Sequence, residues 1–292
     1  MLLFDQGKER KHTKTIWITG ASSGLAKAAA LSFSRNGWKV VAGARSFSNP
    51  DKQLTEENIH CLPLDVTDEE SCAYFVKEAF AISKTVDALL CAAAILILGS
   101  CEMTMPEEYS RVMDTNFIGI HRIVSRVLPS MRAAKAGRIL FFSSINGLMG
   151  IPFQSAYTAS KHAIEGYAEC LQMELAPYGI QIGLIEPGDH QGGSQHTRLH
   201  AVKEDEASPY AKEYREATEI IARDEAGGLL PQDLGDKLVR HIAKKKMPFR
   251  LRIAKPDQHL GVWLHKYLPF SLNAKILRNY YQCKSFHMED HE

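Results

Sequence analysis

The fold of this chain is decided by the stretch Thr15-Ile16-Trp17-Ile18-Thr19-Gly20-Ala21-Ser22-Ser23-Gly24-Leu25-Ala26. Its β-branched start predicts a strand, and the alanine-rich pattern after the glycines predicts a helix that ends at Asn36-Gly37. Glycines at a strand-to-helix turn let the backbone approach a pyrophosphate, and the helix N-terminus offers free N–H groups and a positive dipole end. The stretch therefore predicts a dinucleotide-binding βα unit, with a glycine-rich turn that holds no ligand as the alternative.

Short β-branched runs alternate with longer helical patterns from Thr15 to about Ile185, which is typical of βαβ units. We predict strands at residues 15–19, 39–44, 59–62, 88–92, 137–142 and 181–185, and a shorter one at 249–253. Long amphipathic helices are predicted at about 107–134 and 155–178. The expected fold class is α/β, a single doubly wound domain with a mostly parallel seven-stranded sheet and helices on both faces.

The chain is expected to have three parts. Residues 1–13 form an N-terminal extension, residues 14–255 the α/β domain, and residues 256–292 a C-terminal helical extension. Within the domain, residues 189–228 carry helical stretches but no strand signal. An insertion after the carboxyl end of a strand is well placed to form a lid over a nucleotide site, and we expect that role for it.

Composition and charge argue against several classes of function. The chain has 292 residues, and its net charge of +1 provides no strong field for nucleic acid. The longest apolar run is too short to cross a bilayer, and the N-terminus lacks the apolar stretch of a secretory signal, so a cytoplasmic protein is expected. The six cysteines lack CxxC spacing, which favours buried free thiols over disulfides or a metal site.

Two residues that follow strands bear on the cofactor. An acidic residue after the second strand would bind the ribose 2′-hydroxyl of NAD, whereas an arginine suits the 2′-phosphate of NADP. Arg45 stands there without an acid, which favours NADP(H) over NAD(H); a solvated arginine is the alternative. Asp65 is equally consistent with an acceptor for the adenine amino group and with the cap of a helix that begins near Asp68.

The strongest group of chemically useful residues lies between Ser143 and Lys161. Tyr157 and Lys161 stand one turn apart on one helical face, and Ser144 ends a predicted strand, where active-site groups of open α/β sheets converge. A free tyrosine has a pKa of about 10. A nearby lysine and an oxidised nicotinamide both lower that pKa, so the phenol becomes a useful acid or base. A core tyrosine with a solvated lysine is the alternative.

Together these motifs resemble the short-chain dehydrogenase/reductase family, of the conventional type, and especially NADP(H)-dependent members similar to hydroxysteroid and retinol dehydrogenases and carbonyl reductases. The resemblance covers about residues 14–188 and implies a Rossmann fold. Its matching elements are the glycine-rich turn with Gly20, Gly24 and Ala26, then Asp65, Asn116 and Ser144, the YxxSK element at Tyr157 and Lys161, and the turn at Pro187 and Gly188.

The resemblance also implies roles for individual residues. Those that would bind the cofactor are Gly20, Ser22, Ser23, Gly24, Leu25, Arg45, Asp65, Val66, Ala92, Ala93, Tyr157, Lys161, Pro187 and Gly188. Tyr157 would exchange a proton with the carbonyl or alcohol oxygen, and Ser144 would hydrogen-bond that oxygen. Lys161 would bind the nicotinamide ribose and lower the pKa of Tyr157. Asn116 would fix a water linked to Lys161; an ordinary polar residue inside a helix is the alternative.

Three places depart from the family pattern. Ala26 replaces a glycine, which adds a methyl group that should be tolerated. Ala92 and Ala94 replace an asparagine and a glycine, so hydrogen bonds between strands are lost and a Cβ is added near the cofactor. Gly192 stands where a threonine often anchors the carboxamide. Two nearby residues are candidates to replace that contact: Ser194 and Thr197.

We interpret two further features as structural. Asp189 is expected to cap a loop turn and His190 to lie in solvent, with proton transfer as the alternative. The basic residues at 240–252 and the aromatic residues at 263–270 are expected to form a solvated helix end and a cap on the core. Contact with an anionic surface or substrate is the less favoured alternative, so membrane contact is not expected.

The predicted function is an NADP(H)-dependent oxidoreductase that interconverts a ketone or aldehyde and an alcohol. Apolar residues at 96–98 and 149–153 flank the catalytic region and favour a hydrophobic steroid, retinoid, lipid or polyketide substrate. The resemblance further implies a homodimer or homotetramer. Two alternatives are a non-catalytic dinucleotide-binding regulator or scaffold, motivated by Ala92, Ala94 and Gly192, and an enzyme of this fold with non-redox chemistry.

Overall fold

The computed structural model describes residues 13–192 and 198–283. Its strands are β1 (Thr15–Thr19), β2 (Lys39–Ala44), β3 (Ile59–Pro63), β4 (Ala88–Cys91), β5 (Ile97–Leu98), β6 (Gly137–Phe142), β7 (Ile180–Pro187), β8 (Leu199–His200) and β9 (Arg250–Ile253). Seven of them form one parallel sheet in the order β3-β2-β1-β4-β6-β7-β9. The order changes direction between β1 and β4, and sheets of this class bind ligands at that point. The predicted doubly wound α/β fold is confirmed.

Helices cover both faces of this sheet. They are α1 (Gly24–Arg35), α2 (Glu69–Ser83), α3 (Pro106–Met113), α4 (Gly119–Ala134), α5 (Ser155–Leu175), α6 (Ala211–Ala226), α7 (Pro231–Ile242), α8 (Pro256–Tyr267) and α9 (Phe270–Tyr280). Successive side chains of a strand point to opposite faces. Accordingly, Ile16 and Ile18 of β1 pack in the layer formed with α1 and α7, whereas Trp17 packs with α2, α4 and α5. Burial on both faces explains why the strands consist of nearly continuous apolar runs.

Two local features differ from the prediction. The helix expected from 107 to 134 is interrupted between α3 and α4 by a π-helical turn at Asp114–Ile118. The insertion at 189–228, for which no strand was expected, contributes β8, which pairs with β5 in a separate two-stranded sheet. Both features depend on tertiary contacts, because a single wide turn and a two-residue strand carry no periodic signal.

A buried cluster of charges fixes helix α5 against the sheet. Arg250 of β9 forms salt bridges with Glu165 and Glu169 of α5 and with Glu186 of β7, the last at 2.6 Å. Arg252 bonds the other carboxylate oxygen of Glu186 at 2.9 Å. These two arginines are therefore paired strand residues, and the expectation that they belong to a solvated helix end is wrong. The positioning of α5 matters because that helix carries Tyr157 and Lys161.

The remaining general expectations have mixed outcomes. All six cysteines are free, but only Cys72 and Cys91 are buried, while Cys101 and Cys170 are exposed. Within residues 13–192 and 198–283, no cluster of side chains suited to a metal ion is found. In the same ranges no helix has the length and apolar character that crossing a membrane requires. Of the predicted N-terminal extension, only Thr13 is described.

Candidate functional site

The carboxyl ends of the central strands border a cavity of about 920 Å³. Most of the predicted site residues line it: Gly20, Ser22, Ser23, Gly24, Leu25, Arg45, Asp65, Val66, Ala92, Ala93, Ser144, Tyr157, Lys161, Pro187 and Gly188. Asn116 is fully buried behind this surface. Residues that lie far apart in the chain are thus brought to one site by the parallel sheet.

The turn after β1 is shaped for the close approach of an anion. Gly20 has a φ of +74°, and a Cβ added there would lie 2.7 Å from the Cα of Ala93. Gly24, which begins α1, also has a positive φ of 55°. The first turn of α1 holds no acidic residue, and the Ser23 side chain does not cap it. Its N–H groups therefore remain free for a ligand such as a pyrophosphate.

Thr19 supplies hydrogen bonds between neighbouring strands, which were expected to be lost because Ala92 replaces an asparagine. Its Oγ1 accepts hydrogen bonds from the N–H groups of Ala92 at 3.0 Å and Ala93 at 3.2 Å. These bonds tie the end of β1 to the segment that follows β4, so the site does not depend on an asparagine side chain at position 92. Ala94 exposes its methyl group on the cavity wall, as expected for the added Cβ.

Arg45 lies at the rim of the cavity, directly after β2. Its side chain is exposed, and within the described ranges its guanidinium group has no hydrogen bond or salt bridge. An arginine that borders a cavity without a partner is available for an anionic group, and its planar donors match phosphate. The structure is therefore compatible with the role predicted for Arg45.

Asp65 lies near Arg45 and does not cap a helix. Its Oδ1 accepts hydrogen bonds from the Thr67 N–H at 2.9 Å and the Thr67 hydroxyl at 2.7 Å. Burial raises the pKa of Asp65, but these bonds and the charges of Arg45 and Arg122 lower it overall. The cap of α2 is Asp68. The helix-cap alternative for Asp65 is therefore wrong, and its carboxylate lines the cavity as an ionised acceptor.

Tyr157, Lys161 and Ser144 converge on one wall of the cavity. Helix α5 presents the first two, and the Lys161 Nζ lies 5.3 Å from the centre of the Tyr157 ring. The same Nζ donates a hydrogen bond to the Phe142 carbonyl at 2.6 Å. Ser144, just past β6, hydrogen-bonds to Tyr157 and accepts a bond from the Asn146 N–H at 3.2 Å. The predicted grouping is therefore present in the structure.

Burial is the main cause of the shifted pKa values of Tyr157 and Lys161. It raises the pKa of Tyr157 to about 12, although the hydrogen bond with Ser144 opposes the shift. The expectation that Lys161 brings this pKa below its ordinary value is therefore wrong, because burial of the phenol is the largest influence on it. Burial also lowers the pKa of Lys161 to about 7, against the attraction of the Glu165 carboxylate. At neutral pH the tyrosine is thus a phenol that can donate a proton, and the lysine can change its charge. Strongly shifted pKa values in a cavity are typical of active sites.

Asn116 joins two sides of the site through both the oxygen and the nitrogen of its side-chain amide. Its Oδ1 accepts a hydrogen bond from the Ile95 N–H at 2.8 Å, and its Nδ2 donates to the Ile95 carbonyl at 2.9 Å. Nδ2 also donates to the Ser160 hydroxyl at 3.0 Å, next to Lys161 on α5. The π-helical turn brings this side chain to the segment after β4, and π turns are frequent at functional sites.

The turn after β7 is covered, contrary to the sequence expectation. His190 is only 3% exposed, and its Nδ1 lies 2.9 Å from the Gly188 carbonyl. The backbone of Leu229 pairs with residues 189–191 and covers them, which is why the prediction of a solvent-exposed His190 is wrong. Gly192 is exposed with a φ of +62°. Ser194 and Thr197, the candidates for the carboxamide contact, lie outside the described residues.

Asp189 lines the cavity, and the pKa of its carboxyl group lies above its ordinary value. Burial and, to a smaller extent, the nearby Asp224 carboxylate raise its pKa to about 6, against the attraction of Lys255. Gln258 of α8 donates a hydrogen bond to the Asp189 carboxylate. The cavity is also lined by Asp224 and Asp257, so this side of the site is acidic.

The other part of the cavity, called here the apolar half, is lined mainly by aliphatic side chains. Its residues include Leu96, Met149, Ile151, Ile221, Leu264 and Ile276. The first three belong to the apolar runs from which a hydrophobic substrate was predicted. The contribution of α6 agrees with the expectation that the insertion at 189–228 lies over the site. Those of α8 and α9 were missed, because only the amphipathic pattern of these helices was visible in the sequence and it does not reveal what they cover.

Comparison with known proteins identifies the family to which this chain belongs. Residues 14–201 match the family model of the short chain dehydrogenases. The chain is 35% identical over 269 residues to the 3-ketodihydrosphingosine reductase of Bacteroides thetaiotaomicron, with 92% of this chain and 98% of that protein covered. A short-chain dehydrogenase from Streptomyces avermitilis is 26% identical with a TM-score of 0.76, covering 90% of this chain and 96% of that chain. The structure of ElxO with NADP bound is 25% identical with a TM-score of 0.68, covering 82% and 97%. The chain thus belongs to the short-chain dehydrogenase/reductase family of oxidoreductases.

Proposed function

We propose that this protein is an NADP(H)-dependent reductase that converts a ketone on a long apolar chain into the corresponding alcohol. The observation that carries the proposal is the convergence of Tyr157, Ser144 and Lys161 on a cavity with an apolar half. The similarity to a protein named 3-ketodihydrosphingosine reductase supports a lipid-like ketone over a steroid, retinoid or polyketide. Assembly as a dimer or tetramer through α4 and α5 stays a prediction.

A nicotinamide dinucleotide fits the free N–H groups of the glycine turn and the unpaired guanidinium of Arg45. The turn at Gly20–Gly24 would hold the pyrophosphate, and Arg45 would bind a 2′-phosphate. Asp65 would accept a hydrogen bond from adenine, and Lys161 would bind the nicotinamide ribose. Further contacts would come from Leu25, Val66, Ala92, Ala93, Pro187 and Gly188. When bound, the cofactor supplies the hydride; ElxO, solved with NADP bound, supports this choice.

In the reductive direction Tyr157 acts as the general acid. Its raised pKa, about 12, keeps the proton on the phenol at neutral pH until a carbonyl oxygen gains negative charge. Ser144 donates a hydrogen bond to that oxygen as the charge develops. The ammonium form of Lys161 stabilises the phenolate that remains. Asn116 holds the segment after β4 in place and, in this proposal, orders a water that reconnects Lys161 with solvent.

The acidic side of the cavity favours an ammonium group on the substrate. Asp189, Asp224 and Asp257 lie along the same cavity as the apolar half. Burial and the neighbouring carboxylates together raise the pKa of Asp189 to about 6, so a cation beside these groups would favour the ionised form and relieve their repulsion. An amino ketone such as 3-ketodihydrosphingosine presents this charge next to its carbonyl group.

The test is reduction of 3-ketodihydrosphingosine by the purified protein, followed by loss of NADPH and by mass spectrometry of the product. We expect turnover with NADPH, much less with NADH, and a higher KM for the N-acetylated ketone, which lacks the positive charge. Tyr157→Phe should abolish turnover while NADPH binding is kept. Tyr167→Phe, on the same helix, is the matched control and should stay active.

Two results would contradict the proposal. Turnover that persists in Tyr157→Phe would remove the proposed mechanism. Tight NADPH binding without reduction of any ketone would instead favour the regulator or scaffold alternative.

A further inference from the structure

Helices α8 and α9 line the cavity with one face and expose apolar side chains on the other. Leu264 and Ile276 reach the apolar half of the cavity. The exposed side chains that do not line the cavity, which we call the hairpin surface, are Trp263, Tyr267, Phe270 and Leu272. Phe270 is 79% exposed and Trp263 is 55% exposed. The expectation that these aromatic residues cap the core is therefore wrong.

The hairpin surface is held firmly on the rest of the protein. Val262 of α8 is buried and packs in a cluster with Met149 and Ile151 beside the active site. Asn273 of α9 donates a hydrogen bond to the Nδ1 of His265 at 2.6 Å, which joins the two helices. Exposure of the aromatic side chains is thus a property of the fold and does not result from a loosely attached tail.

Charge indicates what the hairpin surface contacts. Lys266, Lys275 and Arg278 are exposed on these two helices, whereas Asp257 is the one acidic residue from 256 to 283. Tryptophan and tyrosine favour the headgroup level of a bilayer, and lysine and arginine are attracted to anionic headgroups. An exposed apolar patch bordered by basic residues is the pattern of helices that lie in a membrane interface.

We propose that the hairpin surface docks the protein on an anionic phospholipid membrane, with α8 and α9 lying in the headgroup layer. A second copy of the chain fits this surface less well. Symmetric pairing would repeat the same patch on both sides of the interface, and the three basic side chains would add like charge to it. Lipid phosphates neutralise that charge.

Docking in this orientation would place α8 and α9 between the bilayer and the cavity. An apolar ketone could then pass from the lipid to the cavity beside Leu264 and Ile276. This last step rests on the proposed function, whereas the docking itself does not. The two proposals can therefore fail separately.

The test uses the complete protein and vesicles of two compositions, phosphatidylcholine alone and an equal mixture with phosphatidylglycerol. Trp17 and Trp38 are buried, so a change in tryptophan emission on binding reports Trp263. We expect cosedimentation with the anionic vesicles that weakens with added salt, a blue shift of the emission, and quenching by brominated lipid. Absence of binding to both vesicle types would overturn the proposal.

Variants then assign the binding to this surface. The double variant Trp263→Ser, Phe270→Ser should weaken vesicle binding by at least ~10-fold, because two large apolar contacts are lost. Lys266→Glu with Lys275→Glu should abolish the preference for anionic vesicles. Tyr74→Ser, at a half-exposed tyrosine of α2, is the matched control and should bind like the unchanged protein.

NADPH affinity, measured for every variant, separates the two proposals and verifies folding. We expect it to stay unchanged when vesicle binding is lost. Undiminished vesicle binding by the Trp263 and Phe270 double variant would overturn the proposal. Self-association without lipid that this double variant abolishes would assign the surface to a second copy and would overturn it too. Loss of NADPH binding with intact vesicle binding would contradict the proposed function alone.

Discussion

The two sides of the cavity are built in opposite ways. The side with the glycine turn and Ser144 rests on the ends of buried strands, every residue of β1 is buried, and Tyr157 is presented there by α5. The apolar half depends on α6, α8 and α9, and the last two expose large apolar side chains as well as covering the cavity. The comparison teaches that the proposed catalytic side is built from strand ends and the helix packed on them, whereas part of the proposed substrate surface comes from helices late in the chain.

The largest expected effect is on kcat, and it distinguishes the two sides of the cavity. Ser144→Ala should lower kcat by ~10²–10³-fold with unchanged NADPH affinity, because a donor to the developing alkoxide is lost. Leu264→Ser, in the apolar half, should mainly raise KM for a long-chain ketone. Steady-state kinetics with both variants measures the difference. A large fall in kcat for Leu264→Ser with unchanged KM would contradict the proposed division between a catalytic side and a substrate-binding side.

The next effect tests how tightly the glycine turn is packed. Gly20→Ala and Gly37→Ala both place a side chain at a positive φ, but only the first would collide with the backbone of Ala93. We expect a loss of ~1 kcal/mol in the free energy of unfolding for Gly37→Ala and at least ~2 kcal/mol more for Gly20→Ala. Urea denaturation compares them. Equal losses would mean that the turn can move away from Ala93.

A smaller effect concerns cofactor choice. Arg45→Ala should weaken NADPH binding by ~10- to 100-fold and leave NADH binding nearly unchanged, because only the 2′-phosphate loses its partner. Titration of the fluorescence of the reduced nicotinamide measures both affinities. Arg35→Ala, at an arginine at the end of α1, is the control and should alter neither. An equal loss of affinity for both dinucleotides would show that Arg45 does not act through the 2′-phosphate.

The smallest effect is the pH dependence caused by Asp189. Its pKa is raised by burial from 3.8 to about 6, so the folded protein binds a proton that the unfolded chain has released in this window. The free energy of unfolding should therefore fall as the pH rises through this window, and Asp189→Asn should remove that decrease. Denaturation at several pH values would reveal it. An Asp189→Asn profile identical to that of the unchanged protein would contradict the assigned pKa.

The same contrast explains which features of the structure could be predicted from the sequence. The central strands begin and end almost where predicted, because β-branched runs bounded by turn residues carry their own signal. The grouping of Tyr157 and Lys161 follows from helical spacing alone. The bonds from Ala92 and Ala93 to Thr19, the burial of His190 and the exposure of Trp263 could not be predicted, because each depends on a segment distant in the chain.

The most direct measurement follows the hydride itself. NADPH that carries deuterium at either face of C4 would be incubated with the protein and 3-ketodihydrosphingosine, and the product would be analysed by mass spectrometry. Our account predicts an alcohol that is heavier by a single mass unit, with deuterium on the carbinol carbon, from one of the two labelled cofactors. A product without deuterium from either cofactor, or no product despite bound NADPH, would contradict it.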